Sequence, residues 1–163
     1  MTMVAPTLFV RDIMSRISQT LPDHHKHCDE IFATAEEAAQ LGNWEACGAA
    51  CGDFSRQLLG HFDAEESLLF PAFESASGMR DGPTQVMRLE HTQMRQLLGQ
   101  LEAARLARDA ATFAGVAETL LIMMQQHNMK EENILYPMCD QALGAQGETL
   151  AAQLQARLEH EYA

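Results

Sequence analysis

The sequence predicts an all-α protein: an up-down-up-down four-helix bundle made of a duplicated helical hairpin, with a short N-terminal arm and a C-terminal helix. Three observations predict it. Apolar residues make up 47% of the chain and aromatics only 6%, with 10 Gly and 5 Pro, while Ala, Leu, Gln, Glu and Met abound, a composition of helices rather than strands. Start and stop signals divide the chain into segments of helical length. Displaced by 66 residues, the sequence repeats its histidines, glutamates and prolines in register.

The elements follow in order. Ile13, Met14, Ile17 and Leu21 fall on one helix face and predict the short amphipathic arm, within residues 1–19. Thr20-Leu21-Pro22-Asp23 reads as an N-cap with a first-turn proline, opening a helix that runs to Leu41, where Gly42-Asn43 stop it. A second helix starts near Trp44 and runs toward Gly78. Asp81-Gly82-Pro83 is a loop with a cap and an early proline, opening a third helix that ends near Arg108. Asp109 caps a fourth, which ends near Gly144, and a last helix covers about 146–161. Pro71 and Pro137 lie inside predicted helices, where a missing donor predicts kinks that lean the helix ends over whatever lies beneath. The chain, 1–163, reads as one domain with its core at 20–144.

The repeat carries the chemistry. At the offset of 66, His25 lands on His91, His61 on His127, Glu65 on Glu131, Glu66 on Glu132, Leu69 on Leu135, Pro71 on Pro137 and Gly78 on Gly144. Phe70 meets Tyr136 and Cys28 meets Met94. In each half the two histidines are 36 residues apart with a predicted turn midway, so an antiparallel hairpin puts them at one height. Glu65 and Glu131 follow His61 and His127 by four, on the same helix face. Two hairpins packed about an approximate two-fold axis bring four imidazoles and two carboxylates into one layer. Buried without a cation, those carboxylates repel and the imidazoles lack partners, so the predicted ligands of a metal centre are His25, His61, Glu65, His91, His127 and Glu131. Imidazole with carboxylate suits iron, with zinc or manganese as substitutes.

The neighbours of these residues take lesser roles. His24 adjoins His25, but the offset maps it onto Glu90, so His25 is the preferred ligand; His27 points elsewhere and His160 lies in the tail. Glu66 and Glu132 read as residues behind the ligands or on the surface, a five-residue spacing leaving a bridging role open. Phe70 and Tyr136 are candidate pocket walls, and Met94, Met123, Met124 and Met129 are candidate core. Cys47 and Cys51 share a helix face, and all four cysteines read as thiols of a reducing compartment.

Charge narrows the partners. With 11 Lys and Arg against 23 Asp and Glu, the net charge of −12 repels phosphate backbones and anionic membranes. No apolar run approaches a membrane span, and no basic-then-apolar leader precedes the helices, so the expectation is a cytoplasmic protein with no nucleic-acid or membrane partner.

His, then His-x-x-x-Glu, repeated once, resembles the hemerythrin family, specifically its HHE cation-binding domain, over about residues 20–144. The resemblance implies a non-haem di-iron centre in a four-helix bundle. It places one iron on His25 and His61 and the other on His91 and His127, with Glu65 and Glu131 bridging both and an oxo or hydroxo group between them. The invertebrate oxygen carriers of that family have a fifth histidine where this chain has Arg95, and a bridging carboxylate five rather than four residues after its histidine. A guanidinium cannot ligate, and beside the metals it is expected to favour anionic ligands. Its repeat mate Asp29 is a candidate weak ligand or partner of Arg95. The ligand set is more similar to bacterial proteins implicated in repair of damaged iron centres, although residues 1–22 lack the cysteine their extra domain carries. The expected function is presentation of two irons to dioxygen, peroxide or nitric oxide. The alternatives are a di-iron oxidase or peroxidase or an iron-centre repair factor, with Tyr136 as its candidate proton donor, and a metal-binding or redox sensor.

Overall fold

The structure is a computed structural model and describes residues 16–160. Every element in that range is helical: α1 (Ile17–Gln40), α2 (Trp44–Ala64), α3 (Phe70–Ser77), α4 (Pro83–Leu106), α5 (Ala110–Lys130), α6 (Tyr136–Leu143) and α7 (Ala145–His160). A π-helical turn joins α2 to α3 at Glu65–Leu69, and another joins α5 to α6 at Glu131–Leu135. The offset of 66 carries α1 onto α4, α2 onto α5, the first π-turn onto the second and α3 onto α6 without a residue of slip. Helix α1 packs on α2 and α5, and α4 on α5 and α2, so the long helices form the closed ring of an up-down-up-down bundle.

Both hairpin turns are built alike from different residues. Gly42 and Arg108 hold the left-handed position, with φ of 70° and 53°. Asn43 and Asp109 then cap the next helix, accepting the N–H of Ala46 and Thr112 at 3.1 Å. Gly42 adopts that backbone at no steric cost; Arg108 does not.

The start of α1 departs from the sequence expectation. Its helix begins at Ile17 rather than after Thr20, so residues 17–19 of the predicted arm belong to α1 and Pro22 lies in the helix interior. Ile13 and Met14 fall outside the described residues. The cause is remote: the Asp140 carboxylate, on α6, accepts the N–H of Ile17 at 2.9 Å and of Ser18 at 3.3 Å, and it also takes the Ser18 hydroxyl. Helix-start donors that lack partners within the helix are thereby satisfied by a residue 123 positions away. At the equivalent start of α4 stands Pro83, which has no N–H to satisfy, and the mate of Asp140, Glu74, binds the Arg88 guanidinium at 2.7 and 3.0 Å instead. Gly82, not Asp81, occupies the N-cap of α4, with no side-chain cap.

The prolines act through the π-turns. The N–H of Phe70 reaches back five residues to Glu65 O, and that of Tyr136 to Glu131 O, one residue more than in an α-helix. The widened turn sits just before Pro71 and Pro137, whose rings would clash with the carbonyl four residues back in a regular helix.

Two apolar clusters fill the bundle. Phe32, Phe54, Phe62, Met94, Leu101 and Phe113 anchor the cluster toward the hairpin turns. Ile17, Leu21, Leu69, Phe70, Tyr136 and Leu154 anchor the other, which α7 helps close by burying Leu150, Ala151, Leu154 and Leu158. Helix α7 lies on α1 and α2, with Arg157 bonded to Asp63 and Ser67, and so breaks the internal symmetry. Met94 and Met124 are core residues and Met123 packs against them, whereas Met129 is exposed at 55%, contrary to the core reading from its spacing. Among the described residues no helix is long and apolar enough to cross a membrane.

Candidate metal centre

Each long helix carries a candidate ligand histidine through the boundary between the two clusters. His25 follows Leu21 of one cluster and precedes Cys28 of the other, and His91 stands likewise between Met87 and Met94. His61 and His127 occupy the same level on α2 and α5, and Glu65 and Glu131, one turn on, open the π-turns. All six are buried, both glutamates completely.

The side chains converge. His25 and His61 bring their Nε2 atoms to 3.2 Å, as the hairpin register predicts. Each glutamate joins the two hairpins: Glu65 Oε1 lies 3.2 Å from His61 Nε2 and 3.4 Å from His91 Nε2. Glu131 Oε1 lies 3.3 Å from His25 Nε2 and 3.0 Å from His127 Nε2. Donors about 2.1 Å from one ion and near right angles to each other stand about 3 Å apart, so these separations suit shared cations. The unpaired atoms fit too. His91 Nε2, His127 Nε2, Glu65 Oε1 and both Glu131 oxygens are buried without a hydrogen-bond partner. A folded protein rarely leaves such atoms orphaned, and here they face one another around a common centre.

Electrostatics agree. Burial opposes charge on His25 and His91, but the carboxylates beside them, Glu131 and Glu132 for His25 and Glu65 and Glu66 for His91, outweigh it and lift both to about 9. His127 is raised by Glu131 against the same burial penalty. Burial would raise Glu65, but the His61 charge and its hydrogen bonds hold it well below the usual carboxylate range. In the metal-free protein, protons on imidazole supply the positive charge that the layer demands.

Outer residues fix the rings. His91 Nδ1 meets Glu66 Oε1 at 3.1 Å, and Arg95 grips the same carboxylate at 2.7 and 2.9 Å. Arg95 therefore pairs with Glu66 rather than with its repeat mate Asp29, and its guanidinium lies over the Phe62 ring at 5.5 Å. Asp29 is exposed and stands outside both ligand clusters. Glu132 approaches His25 Nδ1 at 3.7 Å, too long for a hydrogen bond. Phe70 stacks against His91 at 5.7 Å, and Tyr136, its repeat mate, donates its hydroxyl to Glu65 Oε2 at 2.9 Å, so both line the centre. Burial and the carboxylates Glu131 and Glu65 push the Tyr136 hydroxyl well above its usual range, which keeps its proton on.

Two residues behind the candidate ligands carry roles the sequence does not announce. Glu90 accepts from His127 Nδ1 at 2.8 Å and is held by Lys130. His24, weighed only as a rival ligand, instead meets His61 Nδ1 at 2.7 Å and passes its other ring nitrogen to Gln57 Oε1 at 3.1 Å. Burial first, and the His61 charge second, lower His24 to about 3, so it is a neutral ring. The signal was present in the offset, which pairs His24 with Glu90. His27, half-buried, tilts toward His24 with ring centroids 6.1 Å apart.

Four donors, one each from Glu65, His91, His127 and Glu131, lie within 4.8 Å of one another, as do three from His25, His61 and Glu131. A family model described as the hemerythrin HHE cation-binding domain matches residues 16–139. Comparison with curated proteins and with solved structures found no match.

Proposed function

The chain belongs to the hemerythrin HHE cation-binding domain family, and from that premise we propose that it is a non-haem di-iron protein presenting its metals to a small ligand such as dioxygen, peroxide or nitric oxide. The observation that carries the reading is the set of orphaned, inward-facing atoms: His91 Nε2 on α4, His127 Nε2 on α5, and the carboxylate oxygens of Glu65 and Glu131 in the two π-turns. In this reading His25 and His61 would hold one iron and His91 and His127 the other, Glu65 and Glu131 would serve both, and an oxo or hydroxo group would complete the centre. Zinc or manganese fits the same donors as a substitute. When bound, the iron pair supplies redox chemistry and open positions for the small ligand.

The chain's own residues do the rest. The outer partners Glu66, Glu90 and His24 hold the Nδ1 side of His91, His127 and His61, leaving each Nε2 lone pair directed inward. Phe62 and Phe70 stack on His91 and keep water from its face. Tyr136 holds a proton 2.9 Å from the Glu65 carboxylate, and this one observation favours an oxidase or peroxidase as the second reading. A single-domain, cytoplasmic protein without nucleic-acid or membrane partners belongs to the same proposal, consistent with the acidic charge of −12.

The test is iron analysis of anaerobically purified protein. Close to two irons per chain are expected, and a Glu65→Ala, Glu131→Ala double variant should lose both. Two irons retained by the double variant would falsify the assignment.

A further inference from the structure

The internal symmetry of the ligands is not matched by what stands behind them. On the His91/His127 side, both Nδ1 atoms face carboxylates: Glu66 at 3.1 Å and Glu90 at 2.8 Å. Each carboxylate is braced by a cation, Glu66 by Arg95 and Glu90 by Lys130. On the His25/His61 side the mate of Glu90 is His24, an imidazole leading to Gln57, and the mate of Glu66 is Glu132, 3.7 Å from His25. The mates of Arg95 and Lys130 are Asp29 and Ala64, which brace nothing by cationic charge. Tyr136 adds a second inequality, its oxygen lying 3.2 Å from His25 Nε2 and 3.4 Å from His61 Nε2, in the space toward which those two ligands point. At its repeat position Phe70 offers no polar atom.

Resting on the two-metal reading, we propose that the half-sites are unequal: the His91/His127 half, completed by Glu65 and Glu131, fills first and binds tighter, and the His25/His61 half fills second. A ligand histidine that gives its outer N–H to a carboxylate is the stronger donor and is fixed in the right tautomer. Two such bonds serve the first half; an imidazole in place of a carboxylate and a long contact serve the second. Preorganisation points the same way, since four donors already converge in the first half and three in the second. One effect opposes this order. Among the described residues no Lys or Arg is ion-paired with Asp29 or Glu132, Lys26 acting on Glu132 only from a distance, and their charge attracts a metal ion to the second half. Asp29 is exposed and Glu132 is 36% exposed, so solvent weakens that attraction, whereas Glu90 is only 14% exposed and in direct contact with its histidine.

The experiment is titration of the metal-free, full-length chain with Co(II) under argon, read by visible absorption with a competing chelator. Two steps of one ion each are expected, the first at least tenfold tighter. His127→Ala should abolish the first step and His61→Ala should leave it. Glu90→Gln, which keeps size and hydrogen bonding, should weaken the first step by about 10–100-fold while the second stays in place, and it guards against ligand variants that fail to fold. A single step of two equal ions, or a Glu90→Gln effect confined to the second step, overturns the order and leaves the two-metal reading standing. Fewer than two ions bound in all overturns that reading and the order with it.

Discussion

At the scale of single residues, Tyr136 and Phe70 divide two roles that the repeat would otherwise make equal. Both follow a π-turn and both are buried, yet only Tyr136 brings a hydroxyl to the centre, donated to Glu65 Oε2 at 2.9 Å. Phe at position 136 should pack as Phe70 does, so Tyr136→Phe is expected to keep the fold and the iron content. If Tyr136 supplies a proton in turnover, the iron-loaded variant should consume hydrogen peroxide about 100-fold more slowly, the lower end of general-acid contributions. An unchanged rate with unchanged iron would remove Tyr136 from any proton role and leave the ligand-presenting reading alone. The Glu90 and His24 pair teaches the same lesson. Their positions were legible in the offset, but which atom each would touch depended on rotamers set by the neighbouring helices.

At the scale of elements, the helix ends divide into those set locally and those set from afar. Asn43 and Asp109 cap their helices with their own side chains, and the sequence signals for both turns correspond to the structure. Helix α1 is the contrary case: local signals put its start at Thr20, while the Asp140 carboxylate draws it back to Ile17. Asp140→Ala should therefore cost about 0.5–2 kcal/mol, the usual worth of a helix cap, in urea unfolding monitored by circular dichroism. Amides at Ile17 and Ser18 should also exchange faster with solvent, with Asp140→Asn intermediate. Full stability in Asp140→Ala would mean that the first turn of α1 is held by apolar burial alone. The π-turns are also only half legible. Pro71 and Pro137 announce a disturbance of regular helix, but whether the chain answers by kinking or by widening a turn is decided where Leu69, Phe70, Leu135 and Tyr136 must reach the core.

At the scale of the whole molecule, the buried charges of the centre tie stability to pH and to metal. His25 and His91 are raised to about 9 in the metal-free protein, against an ordinary 6.5. Their contribution is fully present below about 6.5 and is lost as pH rises through 9, because the unfolded chain gives up those protons first. His24 is lowered to about 3 and works in the opposite sense, its contribution being lost as pH falls from 6.5 toward 3. The metal-free protein should thus be most stable near pH 6.5, with Tm falling on both sides. Metal bound at the centre should remove the alkaline fall, since nitrogens that hold metal no longer hold protons. Thermal scans between pH 5 and 9.5, with and without chelator, check this; a metal-free protein equally stable at pH 6.5 and 9 would contradict it.

The sequence alone determined the duplicated hairpin and the level at which the six ligand candidates meet, because helical rise and a midpoint turn fix the height of His25 against His61 and of His91 against His127 without reference to anything else. It also carried the family resemblance, since that lies in spacing. Only the tertiary structure decided how each glutamate spans the two hairpins, which residues stand behind the imidazoles, where α1 begins and which side of the bundle α7 covers. Those are contacts between chain segments far apart in number, such as Asp140 with Ile17 or Arg157 with Asp63, and their partners are chosen by packing and charge in three dimensions, for which periodicity along one helix holds no record.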